Sequence, residues 1–134
     1  MFLPKELKFE LHNVGQGLFY SGRIDDFNFV YDCGSKKNNY LEKAIHKYRN
    51  DLKKQKINLL AISHFHADHI SGLNLLLDNL EIEEIVIPYY TPIERLILAV
   101  AEPNSASWYY QFLLDPINFL VDRGVKKIIV VRKE

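Results

Sequence analysis

The chain has 134 residues, enough for one domain with a real core, and its 48% hydrophobic and 25% charged content is that of an ordinary soluble protein. Lys plus Arg equals Asp plus Glu at 17 each, so net charge gives no reason to expect nucleic acid or an anionic membrane as partner, although it leaves room for a local basic groove. The single cysteine, Cys33, excludes an internal disulfide and a cysteine-cluster metal site, and makes a reducing compartment the simpler assumption.

The N-terminal stretch MFLPKELKFELHN breaks at Pro4 and alternates charged with apolar residues, which fits neither a signal peptide nor an anchor. No apolar run approaches the length that spans a bilayer. The expectation is a cytoplasmic protein, one domain over residues 1–134, with no membrane partner. Leu7, Phe9 and Leu11 alternate with Lys8, Glu10 and His12, the period of a half-buried strand, which places His12 on the polar, solvated side. VGQG, Val14 to Gly17, follows as a tight turn whose glycines can take positive φ or let another backbone come close. Leu18 to Ile24 and Phe27 to Tyr31 read as a hairpin around Asp25 and Asp26, and the second strand ends in YDCGS.

Asn39 to Lys54 is an amphipathic helix with Leu41, Ala44, Ile45, Tyr48 and Leu52 on one stripe. Its Lys-rich side, which also carries His46, reads as a solvated exterior. An apolar run, Ile57 and Leu59 to Ile62, then ends abruptly in SHFHADH, and helical spacing begins at Ile70, Leu73 and Leu76 and continues to about Leu80. Glu84 to Pro88 is a strand halted by proline, and Thr91 to Ala101 a helix with Thr91 as cap and Pro92 at its first position. Ser107 to Arg123 is helical with a kink near Asp115, Gly124 closes it, and VKKIIVV is a last strand. Tyr89, Tyr90, Trp108, Tyr109 and Tyr110 can line a substrate pocket or pack a helix onto the sheet. This order of elements implies an α/β layer protein.

The chemistry concentrates in His64, His66, Asp68 and His69. Neutral imidazole and carboxylate are the donors a borderline cation such as Zn²⁺ accepts, and a short loop leaving a buried strand can aim several of them at one point. His64 and His66, two apart in extended chain, share a side, while Asp68 and His69 follow as the chain turns into a helix. The spacing allows two metal ions. A solvated His-rich loop is the plain alternative, but it does not account for a cluster hung on the end of a buried strand.

This HxHxDH pattern after a core strand resembles the signature of the metallo-β-lactamase-fold hydrolases. The resemblance implies that His64 and His66 bind one metal and Asp68 and His69 a second, with Asp68 also in the catalytic role. It further implies zinc as the ion, with Mn²⁺ or Fe²⁺ as substitutes. The VGQG turn, the hairpin, the D-x-G strand end and then HxHxDH occur in that order in proteins similar to the hydrolase domain of bacterial competence proteins, from whose DVGQGD segment this chain departs at Asn13 and Leu18. Asp32 matches the family's strand-end Asp, which the resemblance implies orients a ligand His, with Ser63 as a second support; a turn-former beside Gly34 is the alternative for Asp32.

All five His lie at or before position 69, and Asp78, Asp115 and Asp122, the later aspartates, do not follow strands as a bridging ligand would. The chain therefore resembles the N-terminal half of the family's αββα sandwich, with the C-terminal half or a second subunit needed to complete the site. The implied function is metal-dependent hydrolysis at a dinuclear site, on phosphodiester or nucleic-acid substrates. A lactone, thioester or β-lactam substrate, or a non-catalytic half-domain used for binding, is the alternative.

Overall fold

The computed structural model describes residues 3–132; Met1 and Phe2 of the N-terminal stretch and Lys133 and Glu134 lie outside the described residues. One six-stranded sheet runs in chain order: β1 (Leu7–Leu11), β2 (Gly17–Ile24), β3 (Phe27–Ser35), β4 (Lys56–Ala61), β5 (Glu81–Pro88) and β6 (Lys127–Val131). The first three strands pair antiparallel and β3 to β6 pair parallel. Parallel neighbours need crossovers, supplied by α1 (Asn38–Asp51), then α2 (Ala67–Ile70) with α3 (Leu73–Asn79), then α4 (Pro92–Ala101), α5 (Ser107–Leu114) and α6 (Pro116–Asp122). Because the parallel strands advance in one direction, the near-universal right-handedness of such crossovers puts every helix on the same face.

That face is the core. The α1 stripe Leu41, Ala44, Ile45 and Tyr48 is buried with Val30, Leu60 and Ile85 of the sheet and Leu73, Leu76, Phe112 and Leu120 of the later helices. The opposite face is open. Register places Leu7, Phe9 and Leu11 beside Ile24, Gly22 and Tyr20, and these beside Phe27, Phe29 and Tyr31. Side chains paired this way share a face, and here Leu7, Phe9, Leu11, Phe27 and Tyr31 are all exposed. Six strands with helices on one side only form half of the expected sandwich.

The β1 alternation has the expected phase with its faces exchanged. The polar residues lie under α1, where Lys47 pairs with Glu10 at 3.2 Å and Lys8 with Asp51 at 3.7 Å, while the apolar residues face outward. His12 is accordingly buried and not solvated. Its ring stacks on Phe19 at 4.1 Å, meets Tyr48 edge-on at 5.7 Å, and its Nε2 lies 2.7 Å from Ser21 Oγ. Burial pulls the His12 pKa below its ordinary value, and the Glu10 carboxylate only partly opposes this.

A second departure is the break of the expected helix after the motif into α2 and α3. The cause lies at the end of β3, where Cys33 accepts the Gly72 N–H at 2.8 Å and Ser35 exchanges hydrogen bonds with the Ser71 hydroxyl, both at 2.9 Å. The junction is tied to the strand, and a new helix starts beyond it. Elsewhere the punctuation acts as read. Thr91 and Glu94 form a reciprocal capping box, Asp115 caps α6 at the kink, and Gly124 has φ 87°. Among the described residues no helix is long and apolar enough to cross a membrane.

Candidate metal centre

The site forms where β3 and β4 end together. Tyr31 pairs with Ala61, so the residues just beyond, Asp32 and Ser63, meet across the strand ends. Asp32 arrives there through a bulge: Phe19 pairs with Cys33 and Tyr20 with Tyr31, which leaves Asp32 opposite no partner, with φ 56°. Asp tolerates the left-handed region better than most residues, and a bulge of this kind re-aims its side chain. The carboxylate ends fully buried beneath the ligand loop.

Its two oxygens organise that loop. One accepts the Ser63 backbone N–H at 2.7 Å. The other accepts the Ser63 hydroxyl and the His69 Nδ1–H, the latter at 2.8 Å. With its proton committed to Asp32, Ser63 Oγ can only accept from His64, whose Nδ1 lies 2.9 Å away. Both imidazoles thus carry their proton on Nδ1 and leave the Nε2 lone pair free, the tautomer a metal ligand needs. A turn-former would not need this set of partners.

Close backbone packing supports the arrangement. A Cβ on Gly34 would stand 2.5 Å from the His69 carbonyl carbon and the Ile70 nitrogen, so only glycine lets β3 lie directly against α2. In the VGQG turn, Gly15 has φ 74°, Lys36 donates to the Gln16 carbonyl at 2.8 Å and Ser35 Oγ donates to Val14, so the turn buttresses the same strand end. Cys33 is buried in the core, which pushes its thiol pKa up and keeps it a packing residue.

The four motif residues cluster at the loop surface. The His64 ring lies 5.1 Å from that of His69 and 6.1 Å from that of His66, centre to centre, and Asp68 Oδ2 lies 3.7 Å from His69 Nε2. A ring centre sits about 3 Å from an ion it binds, so two rings on one tetrahedral ion stand about 5 Å apart. The donor types suit a divalent cation, and His64 and His69 stand at the spacing of two rings on one ion, whereas His64 and His66, the pair expected to share an ion, stand about 1 Å wider than that. Among the described residues, however, no three His, Cys, Asp or Glu side chains are grouped closely enough to hold a metal ion together.

The residue between the two His also has a place, unassigned in the sequence reading. Phe65 is buried, stacked on Tyr90 at 4.5 Å and edge-on to Phe112 at 4.8 Å. Tyr109 donates to its carbonyl at 2.8 Å. Tyr90 and Tyr109 therefore pack behind the loop. Its apolar character between polar neighbours was the available signal. Beside the loop lies a cavity of about 340 Å³, walled in part by Asn38, Asn74, Asn104, Ser105, Trp108 and Tyr109.

Comparison with known proteins adds the following. A sequence profile described as the metallo-beta-lactamase superfamily matches residues 13–127. Among solved structures, one described as the peroxy diiron species of the chemotaxis sensor ODP superposes with a TM-score of 0.51 at 17% identity, over 98% of this chain and 44% of that one. Human tRNase Z, short form (ELAC1), gives 0.45 at 18% identity, over 94% of this chain and 44% of that one. The first likeness is one of fold. This chain spans less than half the length of either structure, and no curated protein matches it.

Proposed function

Because this chain belongs to the metallo-beta-lactamase superfamily, a family whose members bind divalent metals, we propose that it carries the metal-binding loop of a hydrolase, with His64, His66, Asp68 and His69 as ligands. The observation that carries the reading is the Asp32 network. A fully buried carboxylate fixes Ser63 and His69 directly and His64 through the Ser63 hydroxyl, which leaves two Nε2 lone pairs facing the loop surface. Such an arrangement stabilises the folded chain little beyond what an apolar cluster would, and it suits a site whose ligands must be held in one tautomer.

A divalent ion bound there would supply Lewis acidity, lowering the pKa of its water to about 7 and polarising the attacked group. The chain's own contribution is positioning. Asp32 holds the His69 proton at Nδ1, and Ser63 relays the same restraint to His64. Asp68, beside His69 Nε2, places a carboxylate where it orients the attacking water and takes its proton at Oδ2. In a phosphodiester, the water oxygen then bonds to phosphorus as the P–O ester bond breaks, the leaving oxygen taking the bonding pair and a proton from solvent. The remaining ligands come from the C-terminal half or a second subunit.

For the substrate, phosphodiesters or nucleic acid are proposed over lactones, thioesters and β-lactams. Support comes from the VGQG turn against the strand end and from the adjacent cavity, whose volume and amide, hydroxyl and indole walls suit a nucleoside-sized group. The test is metal-dependent turnover of a chromogenic phosphodiester and a chromogenic cephalosporin by the full-length protein containing this chain, with zinc and with manganese. Faster hydrolysis of the phosphodiester is expected. Faster hydrolysis of the cephalosporin reverses the assignment.

A further inference from the structure

We propose that Tyr109, together with Tyr90, is a positioning residue that clamps Phe65 and so sets the directions of His64 and His66 from behind the ligand loop; the inference rests on the metal-binding reading. Three contacts carry it. Tyr109 Oη donates to the Phe65 carbonyl at 2.8 Å, and Tyr90 Oη accepts the Phe65 N–H at 3.4 Å. The Phe65 ring is 1% exposed, stacked on Tyr90 at an interplanar angle of 16° and capped edge-on by Phe112.

Both backbone groups of the residue between the two His are therefore held by side chains, and its ring is locked in the core. A loop in extended conformation has no hydrogen-bond ladder of its own, so without these partners its two peptide planes would be free to rotate. Rotation of either plane swings His64 or His66 off its line. Fixing the backbone of a residue costs about 1–2 kcal/mol in conformational entropy. The clamp meets that cost in the folded chain, before any ligand is bound.

The two phenols reach the loop from far along the chain, Tyr109 from α5, 44 residues away, and Tyr90 from the end of β5, 25 residues away. Burial pushes the Tyr109 pKa up, which keeps its hydroxyl a donor across the neutral range. Neighbouring Tyr110 makes an instructive contrast. Its hydroxyl donates to the Glu102 carbonyl at 2.5 Å and accepts from the Ser105 N–H at 3.1 Å, so it braces the α4–α5 turn and leaves the ligand loop alone.

The experiment compares Tyr109→Phe with Tyr110→Phe, the same loss of a hydroxyl from adjacent positions on one helix, in the full chain. Two readouts are taken: amide hydrogen exchange of residues 63–66 without metal, and Co²⁺ affinity with its visible absorption bands. Tyr109→Phe is expected to speed exchange in the loop by roughly two- to tenfold, the value of one neutral hydrogen bond, to weaken Co²⁺ binding by a similar factor and to alter the bands. Tyr110→Phe is expected to leave both readouts unchanged. Unchanged loop exchange in Tyr109→Phe, or equal effects in the two variants, overturns the clamp whatever the metal does. Faster exchange in Tyr109→Phe with no Co²⁺ uptake by the wild-type chain overturns the metal reading, and with it the purpose assigned to the clamp.

Discussion

Asp32→Asn separates the proposed role of the buried carboxylate from mere shape. The substitution is nearly isosteric and keeps an oxygen for the Ser63 N–H at 2.7 Å, but it presents an amide N–H where Oδ2 now accepts His69 Nδ1 at 2.8 Å. Two donors cannot face each other where the residue 32 side chain is fully buried, so the His69 proton moves to Nε2, the atom meant to hold metal. The Ser63 hydroxyl can turn to accept from the amide, and then it no longer sustains the His64 tautomer. Loss of such a partner weakens metal binding by about 10–100-fold, or roughly 1.4–2.8 kcal/mol. Stability changes less, because the variant also removes a buried charge whose desolvation opposes folding. The assay is a Co²⁺ titration against a competing chelator, paired with urea unfolding of the same samples. An Asp32→Asn chain that binds Co²⁺ within twofold of wild type refutes the reasoning.

Three further outcomes follow from the structure. Gly34→Ala drives a Cβ into the backbone of His69 and Ile70 at 2.5 Å, and is expected to cost about 1–3 kcal/mol or more in urea unfolding; an unchanged midpoint would show that β3 and α2 separate easily. His12 has its folded pKa depressed by burial, so the unfolded chain takes up the proton first. Stability is full above the ordinary imidazole value of about 6.5 and falls as pH drops below it toward the folded value. The wild-type urea midpoint should therefore fall more between pH 7.5 and 5.5 than that of His12→Gln, and parallel pH profiles would exclude His12 as the cause. Finally, with Leu7, Phe9 and Leu11 more than half exposed on a sheet face that also carries Phe27 and Tyr31, the 134-residue chain alone should self-associate in sedimentation. A compact monomer at 0.1 mM would mean that this face needs no cover.

Much of the fold was legible because its signals are local. Period-two alternation, Pro92 and Thr91 at a helix start, Pro116 at a kink and Gly124 at a helix end each act within a few residues, and α4, the α5–α6 kink and the end of α6 stand where those signals place them, whereas α1 ends at Asp51 and not Lys54 and β5 begins at Glu81 and not Glu84. What escaped depends on the other side of a contact. Alternation in β1 tells which residues share a face without telling which face is covered, so His12 was read outward while α1 buries it. The break at Ser71 and Gly72 comes from hydrogen bonds to β3, some 36 residues earlier, which helical periodicity cannot register. At the site, the four motif residues are singled out by their chemistry and spacing, and their role as ligands remains the proposal tested below. The Asp32 bulge, the Ser63 relay and the Phe65 clamp were not legible, since each depends on strand register or on an aromatic residue far away in the chain.

The central claim is that one loop binds divalent metal through His64, His66, Asp68 and His69, and its most direct test is the metal content of protein purified without chelator. Wild-type chain is expected to carry zinc, manganese or iron, and His64→Ala/His66→Ala to lose most of it while keeping its far-ultraviolet circular dichroism. Equal metal content in the two proteins would contradict the account.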